Sequence, residues 1–364
     1  MTTMENATAS DRPRMRLVLL APPWYEVPPV AYGGVEEVLG ELADRLVDHG
    51  HDVTIVGVGR RRTRAKLRTT YGRPQEERIG EHTVEIAHVA AAQRLIAELR
   101  PDLVHDHTVA GPLMAAARTA PTLATVHSLL TPDLALCYRS LRGDVRIAAV
   151  SEAQRRSAPD LPWAATVHNA VAPHRFPFRA VKEDYTLVLG RCTPDKGIDI
   201  AIEAAREAGR RLVIALKCSQ PDERDYFDAV VRPLLGSDTD YVGQASRKQK
   251  SELLAGACCL LFPVRWEEPF GMVAVEAMAC GTPVVGFRRG ALRETVRDGV
   301  TGVLVSRRTE LAEAVDEAVR LDPRACREHV CRRFGGETMA RNYEEVYRAV
   351  LGSAPVAQAI GLPS

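Results

Sequence analysis

The stretch Cys258-Cys259-Leu260-Leu261-Phe262-Pro263-Val264-Arg265-Trp266-Glu267-Glu268-Pro269-Phe270-Gly271-Met272-Val273-Ala274-Val275-Glu276-Ala277-Met278-Ala279-Cys280-Gly281-Thr282-Pro283-Val284-Val285-Gly286 holds a strand, a helix and the next strand in succession. Cys258–Phe262 is a short apolar run of the kind that fills a strand buried on both faces. Met272–Cys280 is apolar at every position but Glu276, and Gly281 supplies a C-terminal cap. Pro283–Gly286 opens the next apolar run. A strand–helix–strand unit with a right-handed crossover predicts a parallel sheet covered by helices.

The same alternation extends towards both ends. Met15–Leu20 reads as a strand, Val35, Val38, Leu39, Leu42 and Leu46 recur at helical spacing before Gly50, and Val53–Val56 is the next strand. Further strands are predicted at Thr83–Ile86, Asp102–His105, Leu123–His127, Arg146–Val150 and Ala165–His168, with helices at Ala90–Arg100, Pro112–Arg118 and Pro132–Leu141. The periodicity lapses over Ala172–Phe178, a candidate linker. A second series follows at Tyr185–Leu189, Leu212–Leu216 and Thr239–Val242 and runs into the opening stretch. The boundaries predicted are a disordered lead-in at 1–13, a first α/β domain at 14–178, a second at 179–336 and a closing helix at 337–352 that packs back across the domains. Ligands of such sheets lie beyond the carboxyl ends of the strands, so chemistry is sought in the cleft between the domains.

A chain of 364 residues suits about two domains at ~100–200 residues each. Its 48 Lys and Arg balance 47 Asp and Glu, a net charge of +1 with no long-range field. That argues against a nucleic-acid binder or a polybasic membrane protein. With 46% apolar residues a sizeable core is available. The eight cysteines form no Cys-x-x-Cys pair, and Cys258-Cys259 sit in an apolar run as small hydrophobes. Residues 1–13 lack a leader pattern, and no apolar run approaches the ~20 residues that span a bilayer. A reduced, soluble, cytoplasmic protein is expected.

Glu276 shares a helical face with Met272, Val275 and Ala279, where a carboxylate is costly unless something hydrogen-bonds to it. Neutral hydroxyls of a ligand would satisfy it without a counter-charge. Glu268 stands just before a helix start whose Phe270–Met272 amides lack intrahelical partners and suit an anion. The alternative is that Glu268 caps the helix and Glu276 pairs with an arginine. In Leu189-Gly190-Arg191-Cys192-Thr193-Pro194-Asp195-Lys196-Gly197, two cations on a strand-to-helix turn can straddle a diphosphate; the alternative is a solvated turn. Gly33-Gly34, in the loop Trp24–Glu36, lets backbone approach a ligand closely. It is not the Gly-x-Gly-x-x-Gly fingerprint of nicotinamide enzymes. His127 closes a strand at the cleft end. His105-Asp106-His107 invites a metal reading, but no third ligand cluster accompanies it. Arg60, Arg61, Arg62, Arg64, Lys66 and Arg68 read as a solvated basic loop or as a contact for an anionic acceptor or surface.

Together these elements resemble glycosyltransferase family 4, the large retaining family with the GT-B fold. The likeness spans Met15 to about Leu351. Its Glu-x7-Glu motif is matched by Glu268 and Glu276, and its Gly-Arg-x4-Lys-Gly element by Gly190, Arg191, Lys196 and Gly197. Its Gly-Gly loop is matched by Gly33 and Gly34, and its strand-end histidine by His127. A further family stretch recurs as Gly290, Glu294, Val296, Asp298, Gly299 and Gly302. The resemblance implies two doubly wound, Rossmann-like α/β domains facing across a cleft. It implies a retaining, metal-independent transfer of a hexosyl or related group from a nucleotide-sugar, UDP-sugar favoured over GDP-sugar, to a small-molecule, glycan or lipid-linked hydroxyl acceptor, with no other cofactor.

By the same resemblance His127, Glu268, Lys196 and Arg191 are catalytic. Gly33, Gly34, Arg191, Lys196, Phe270, Gly271 and Met272 hold the donor diphosphate, and Glu276 holds the ribose. Lys217-Cys218-Ser219-Gln220-Pro221 departs from the glycine-rich turn the family often has after this strand. The proline-rich loop Ala21–Tyr32 is long, as in actinobacterial enzymes acting on small molecules or natural products. A nucleotide-sugar epimerase or hydrolase, or a non-catalytic nucleotide-sugar-binding protein, would share these motifs. Donor base, sugar, acceptor and oligomeric state stay open at this level.

Overall fold

A computed structural model describes residues 13–30, 33–60, 63–141, 143 and 145–353. The first sheet takes β1 (Arg16–Leu20), α1 (Gly34–Asp48), β2 (Asp52–Val58), β3 (Lys66–Tyr71), α2 (His82–Leu99), β4 (Leu103–Asp106), β5 (Thr122–Val126), α3 (Pro132–Arg139), β6 (Val145–Ala149), α4 (Glu152–Ser157) and β7 (Trp163–Thr166). Its strands are all parallel in the order β3-β2-β1-β4-β5-β6-β7, with Val18 opposite Thr54 on one side and Val104 on the other. The order reverses at β1, between β2 and β4, and opens a crevice at their carboxyl ends.

The second sheet takes β8 (Thr186–Arg191), α5 (Ile198–Glu207), β9 (Leu212–Lys217), α6 (Pro221–Tyr226), β10 (Thr239–Gly243), α7 (Arg247–Gly256), β11 (Cys259–Phe262), α8 (Met272–Ala279), β12 (Val284–Phe287), α9 (Leu292–Thr295), β13 (Gly302–Val305), α10 (Leu311–Ala318) and α11 (Pro323–Arg333). Its strands are parallel in the order β10-β9-β8-β11-β12-β13, so β8 is the switch point here. The central strands are apolar throughout: Leu187, Leu260, Leu261, Val284 and Val285 are buried. These are the continuous runs expected of sheets covered on both faces.

The last helix, α12 (Gly336–Ser353), serves the first sheet. Met339, Ala340, Tyr343, Tyr347 and Val350 pack with Leu17, Leu39, Leu42 and Leu103 in one core. Tyr347 Oη and His105 Nδ1 lie 2.7 Å apart, His105 Nε2 is 2.7 Å from Thr125 Oγ1, and Tyr343 Oη is 2.9 Å from that hydroxyl. Buried Glu344 meets His49 and His51 at the same seam. A second tie joins the halves at Glu294, whose carboxylate accepts from the backbone N–H groups of Glu152 (2.8 Å) and Ala153 (2.6 Å) and meets His168 Nε2 at 3.0 Å.

Several sequence expectations change. Thr83–Ile86 is not a strand but the start of α2: Val84, His88 and Ala92 turn inward at helical spacing while Ile86 stays exposed. The basic run is not all loop, because Lys66–Tyr71 forms the edge strand β3, held by backbone pairing to β2. Two of its charges are answered: Arg64 meets Asp48 at 2.7 Å and Lys66 meets Asp52 at 2.6 Å. Arg61 and Arg62 lie outside the described residues, as does the lead-in through residue 12. Pro112–Arg118 forms tight 3-10 turns over Gly111–Ala117 rather than an α-helix.

Candidate active site

A cleft of about 540 Å³ lies between the carboxyl ends of the two sheets. One wall comes from the β1–α1 loop and the ends of β4 and β5. The other comes from the ends of β8 and β9 and the β11–α8 loop.

On the second-sheet wall every expected cation has a carboxylate. Arg191, last in β8, donates from Nε to Glu223 Oε1 at 2.8 Å. Burial raises the Glu223 carboxyl, but backbone amides and Arg191 bring it net below the ordinary range. Lys196 Nζ is 2.8 Å from Glu268 Oε2 and lies 4.9 Å from the centre of the Trp266 ring. Gly197, which follows, carries φ 66°, and a β-carbon there would stand 2.2 Å from Pro263 O, so only glycine fits the turn. Glu268 does not cap α8; Gly271 (φ 84°) holds that position with no side-chain cap. Ala274 and Val275 N–H both reach Gly271 O, which leaves the amides of Gly271, Met272 and Val273 as the first-turn donors. The anion-accepting end thus lies one residue later than predicted. Phe270 is buried, its ring edge-on to Phe334 at 5.8 Å.

Glu276 is 5% exposed and lines the cleft. Contrary to expectation it has a counter-charge: Lys250 on the neighbouring α7 reaches Oε1 at 2.7 Å. Its Oε2 is buried without a partner.

The strand ends of the first-sheet wall carry neutral polar groups, and Glu36, Glu37 and Glu85 line the same wall. Gly33 begins α1 at φ 142°, and Gly34 lies opposite Met272 of α8. His127 follows β5 rather than closing it, and its Nε2 is 2.9 Å from Nδ1 of His107, which follows β4. Burial pushes His127 down to about 4 and drives His107 well below its ordinary value, so both rings are neutral at physiological pH. The metal reading of His105-Asp106-His107 dissolves. His105 is engaged by α12 and Thr125, and Asp106 is paired with Arg118 at 2.8 Å. Among the described residues no group of three or more His, Cys, Asp or Glu is arranged to hold a metal ion.

Sequence reasoning gave no cleft role to three residues, Asn169, Trp266 and Glu36, and offered His107 only as a metal-ligand candidate. His107 Nε2, Asn169 Oδ1 and Trp266 Nε1 are buried without partners, and Glu36 is buried in the first turn of α1. Trp266 lay in a recognised motif. Nothing in the linear pattern separates Glu36 from exposed acids. Lys217, at the departure from the family pattern, sends Nζ across the cleft to Tyr25 Oη at 2.9 Å.

Residues 173–330 match the glycosyl transferases group 1 family, and residues 32–179 match Glycosyltransferase Family 4. The two matches together run without a gap from residue 32 to residue 330. The chain belongs to glycosyltransferase family 4. This glycosyltransferase is 27% identical to glycogen synthase of Mycobacterium tuberculosis over 92% of its own length and 95% of the relative's. It is 35% identical to the D-inositol 3-phosphate glycosyltransferase of Mycobacterium bovis, over 39% of its length and 30% of that protein's. The crystal structure of AviGT4, a glycosyltransferase involved in avilamycin A biosynthesis, superposes with a TM-score of 0.72 at 27% identity, over 93% and 99% of the two chains. The glycosyltransferase has, among its described residues, no helix long and apolar enough to cross a membrane.

Proposed function

We propose that this glycosyltransferase moves a sugar from a nucleoside-diphosphate sugar to a hydroxyl acceptor, with retention at the anomeric carbon and without a metal. One observation carries the reading. Of the seven buried side-chain polar atoms without a partner among the described residues, four line this one cleft: His107 Nε2, Asn169 Oδ1, Trp266 Nε1 and Glu276 Oε2. An unpaired buried polar group costs about 1–3 kcal/mol. A ligand rich in hydroxyls would pair all four.

In this reading Arg191, Lys196 and the first-turn amides of α8 receive the diphosphate, and the Gly33-Gly34 backbone closes on it from the other wall. Glu276 keeps Lys250 on one oxygen and takes ribose hydroxyls on the other, while Glu268 takes hydroxyls of the transferred sugar. His127, held neutral, serves the reacting centre as a hydrogen-bond partner rather than as an acid. As the glycosidic bond breaks, negative charge grows on the diphosphate and positive charge on the sugar ring. Fixed cations and amides stabilise the first. The acceptor attacks from the face that the phosphate leaves, and a phosphate oxygen takes its proton, so paired carboxylates of the glycosidase kind are not required. The relatives' names point to a glycan or a small molecule as acceptor. The cysteines, all described as free thiols, fit a reducing, cytoplasmic setting.

A thermal-shift panel of UDP, GDP, ADP and dTDP tests the reading. Binding at a hundredfold excess over Kd stabilises by about 2.7 kcal/mol. UDP is expected to give the largest shift, and Glu276→Ala to reduce it. Melting temperatures unmoved by all four would overturn the donor assignment. Rapid turnover of the sugar nucleotide without acceptor would replace transfer by epimerisation or hydrolysis.

A further inference from the structure

Glu36 has no part in the chemistry described so far. It sits in the first turn of α1, is 3% exposed and lines the cleft. Its Oε2 lies 2.9 Å from the point where a β-carbon on Gly33 would stand, so the carboxyl rests against the bare face of that glycine. The β-carbon position of Gly34 is 3.9 Å from Met272 Cγ. The N-termini of α1 and α8 therefore meet across the cleft, and Glu36 belongs to one of them. An anion drawn to either terminus arrives beside this carboxyl.

The titratable groups around it are otherwise engaged. Glu37, next in sequence, is paired with Arg247 and with Arg175. Glu26, on the loop before α1, accepts from the Arg60 N–H at 2.8 Å. Glu85, on α2, accepts from the amides of Val109 and Ala110. Across the cleft Glu268 holds Lys196, and Lys217 meets Tyr25. His107 and His127, on the strand ends, are neutral. Glu36 is left with burial, which pushes it up to about 7 against the pull of its own backbone N–H.

We propose that Glu36 becomes a neutral carboxylic acid when a nucleoside diphosphate fills the cleft and, keeping its proton, donates a hydrogen bond to a diphosphate oxygen, so that loading the donor site takes up a proton from solvent. The proton returns to solvent when the nucleotide leaves. A diphosphate beside an acid already balanced between its two forms favours the uncharged one. The inference rests on the donor assignment made above and extends it to a residue on the opposite wall.

Calorimetric titration with UDP at pH 7.5, in phosphate and in Tris, counts the protons exchanged on binding. The wild type is expected to take up about half a proton or more beyond the isosteric Glu36→Gln variant; the nucleotide's own titration is common to both. UDP affinity of the wild type should weaken by up to about tenfold per pH unit above neutrality, relative to a flatter profile in Glu36→Gln. Equal proton counts and parallel pH profiles would overturn the role of Glu36 and leave the donor assignment standing. Absence of binding by UDP and by the other three nucleotides would remove both. The wild-type titration alone gives the pH slope should the variant melt early.

Discussion

The two walls of the cleft are built on different electrostatic plans. The second-sheet wall is a row of ion pairs, Arg191 with Glu223, Lys196 with Glu268 and Lys250 with Glu276. The strand ends of the first-sheet wall offer two neutral imidazoles and an amide, and on the same wall stand buried Glu36, balanced near neutrality, and Glu37, paired with Arg247 and Arg175. In the proposed reading the second-sheet wall both holds the diphosphate and takes sugar hydroxyls, while the first-sheet wall closes over them with uncharged imidazoles at its strand ends. The ion pairs also hold their cations in place before any ligand arrives, which is preorganisation of the kind that dominates electrostatic catalysis.

The contrast breaks most visibly at Lys196. Lys196→Ala should lower kcat by about 10²–10³-fold, the range for one lost transition-state contact. Steady-state kinetics with the selected donor measure it, and undiminished turnover would strip the second-sheet wall of its assigned role. Next comes Glu276→Ala, expected to weaken nucleoside-diphosphate binding by about 10–100-fold, as for a lost hydrogen bond to a charged group. Calorimetry decides, and Lys250→Met sharpens the result. Should that variant lose as much affinity as Glu276→Ala, the pair acts as a unit rather than through the orphaned oxygen.

On the first-sheet wall the effects are smaller. His107→Gln should cost about three- to tenfold in kcat/KM, the worth of one neutral hydrogen bond holding His127. With His127 titrating near 4, its ring stays neutral between pH 5 and 8. The wild-type pH–rate profile should therefore show no limb from this histidine in that window, and a limb near pH 6.5 would contradict its burial. The smallest effect belongs to the tie between the halves. Burial raises Glu294, but His168 and the α4 amides bring it below its ordinary 4.5. A depressed carboxylate contributes stability that is present above that value and lost as pH falls through the lower folded-state value. Glu294→Gln should cost about 1–2 kcal/mol near neutrality. Melts between pH 3 and 6 should find the variant the less pH-sensitive of the two.

What the sequence disclosed follows the same division. Buried parallel strands are continuous apolar runs, so β1, β8, β11 and β12 stood out. β3 did not, because an edge strand is held by backbone pairing and Leu67 is its only aliphatic residue. Val84 and Ile86 alternate with polar residues as a strand would, and only the inward turn of His88 and Ala92 shows the helix. The second-sheet wall was legible because Arg191 with Lys196 and Glu268 with Glu276 lie within single turns of chain. Their partners were not: Glu223 stands 32 residues from Arg191, and Lys250 stands 26 from Glu276. The first-sheet wall joins His107 to His127 across two strands and buries Glu36 while leaving Glu37 in ion pairs. No linear spacing encodes either choice.

The final helix gives the molecule an order of assembly. With Met339, Ala340, Val346 and Val350 of the same helix, Tyr343 and Tyr347 close a core whose remaining buried members lie between Met15 and Ala170, and they hydrogen-bond Thr125 and His105 there. During synthesis the first sheet keeps this hydrophobic seam open until α12 has left the ribosome. A chain cut short before α12 would forfeit its beginning rather than its end.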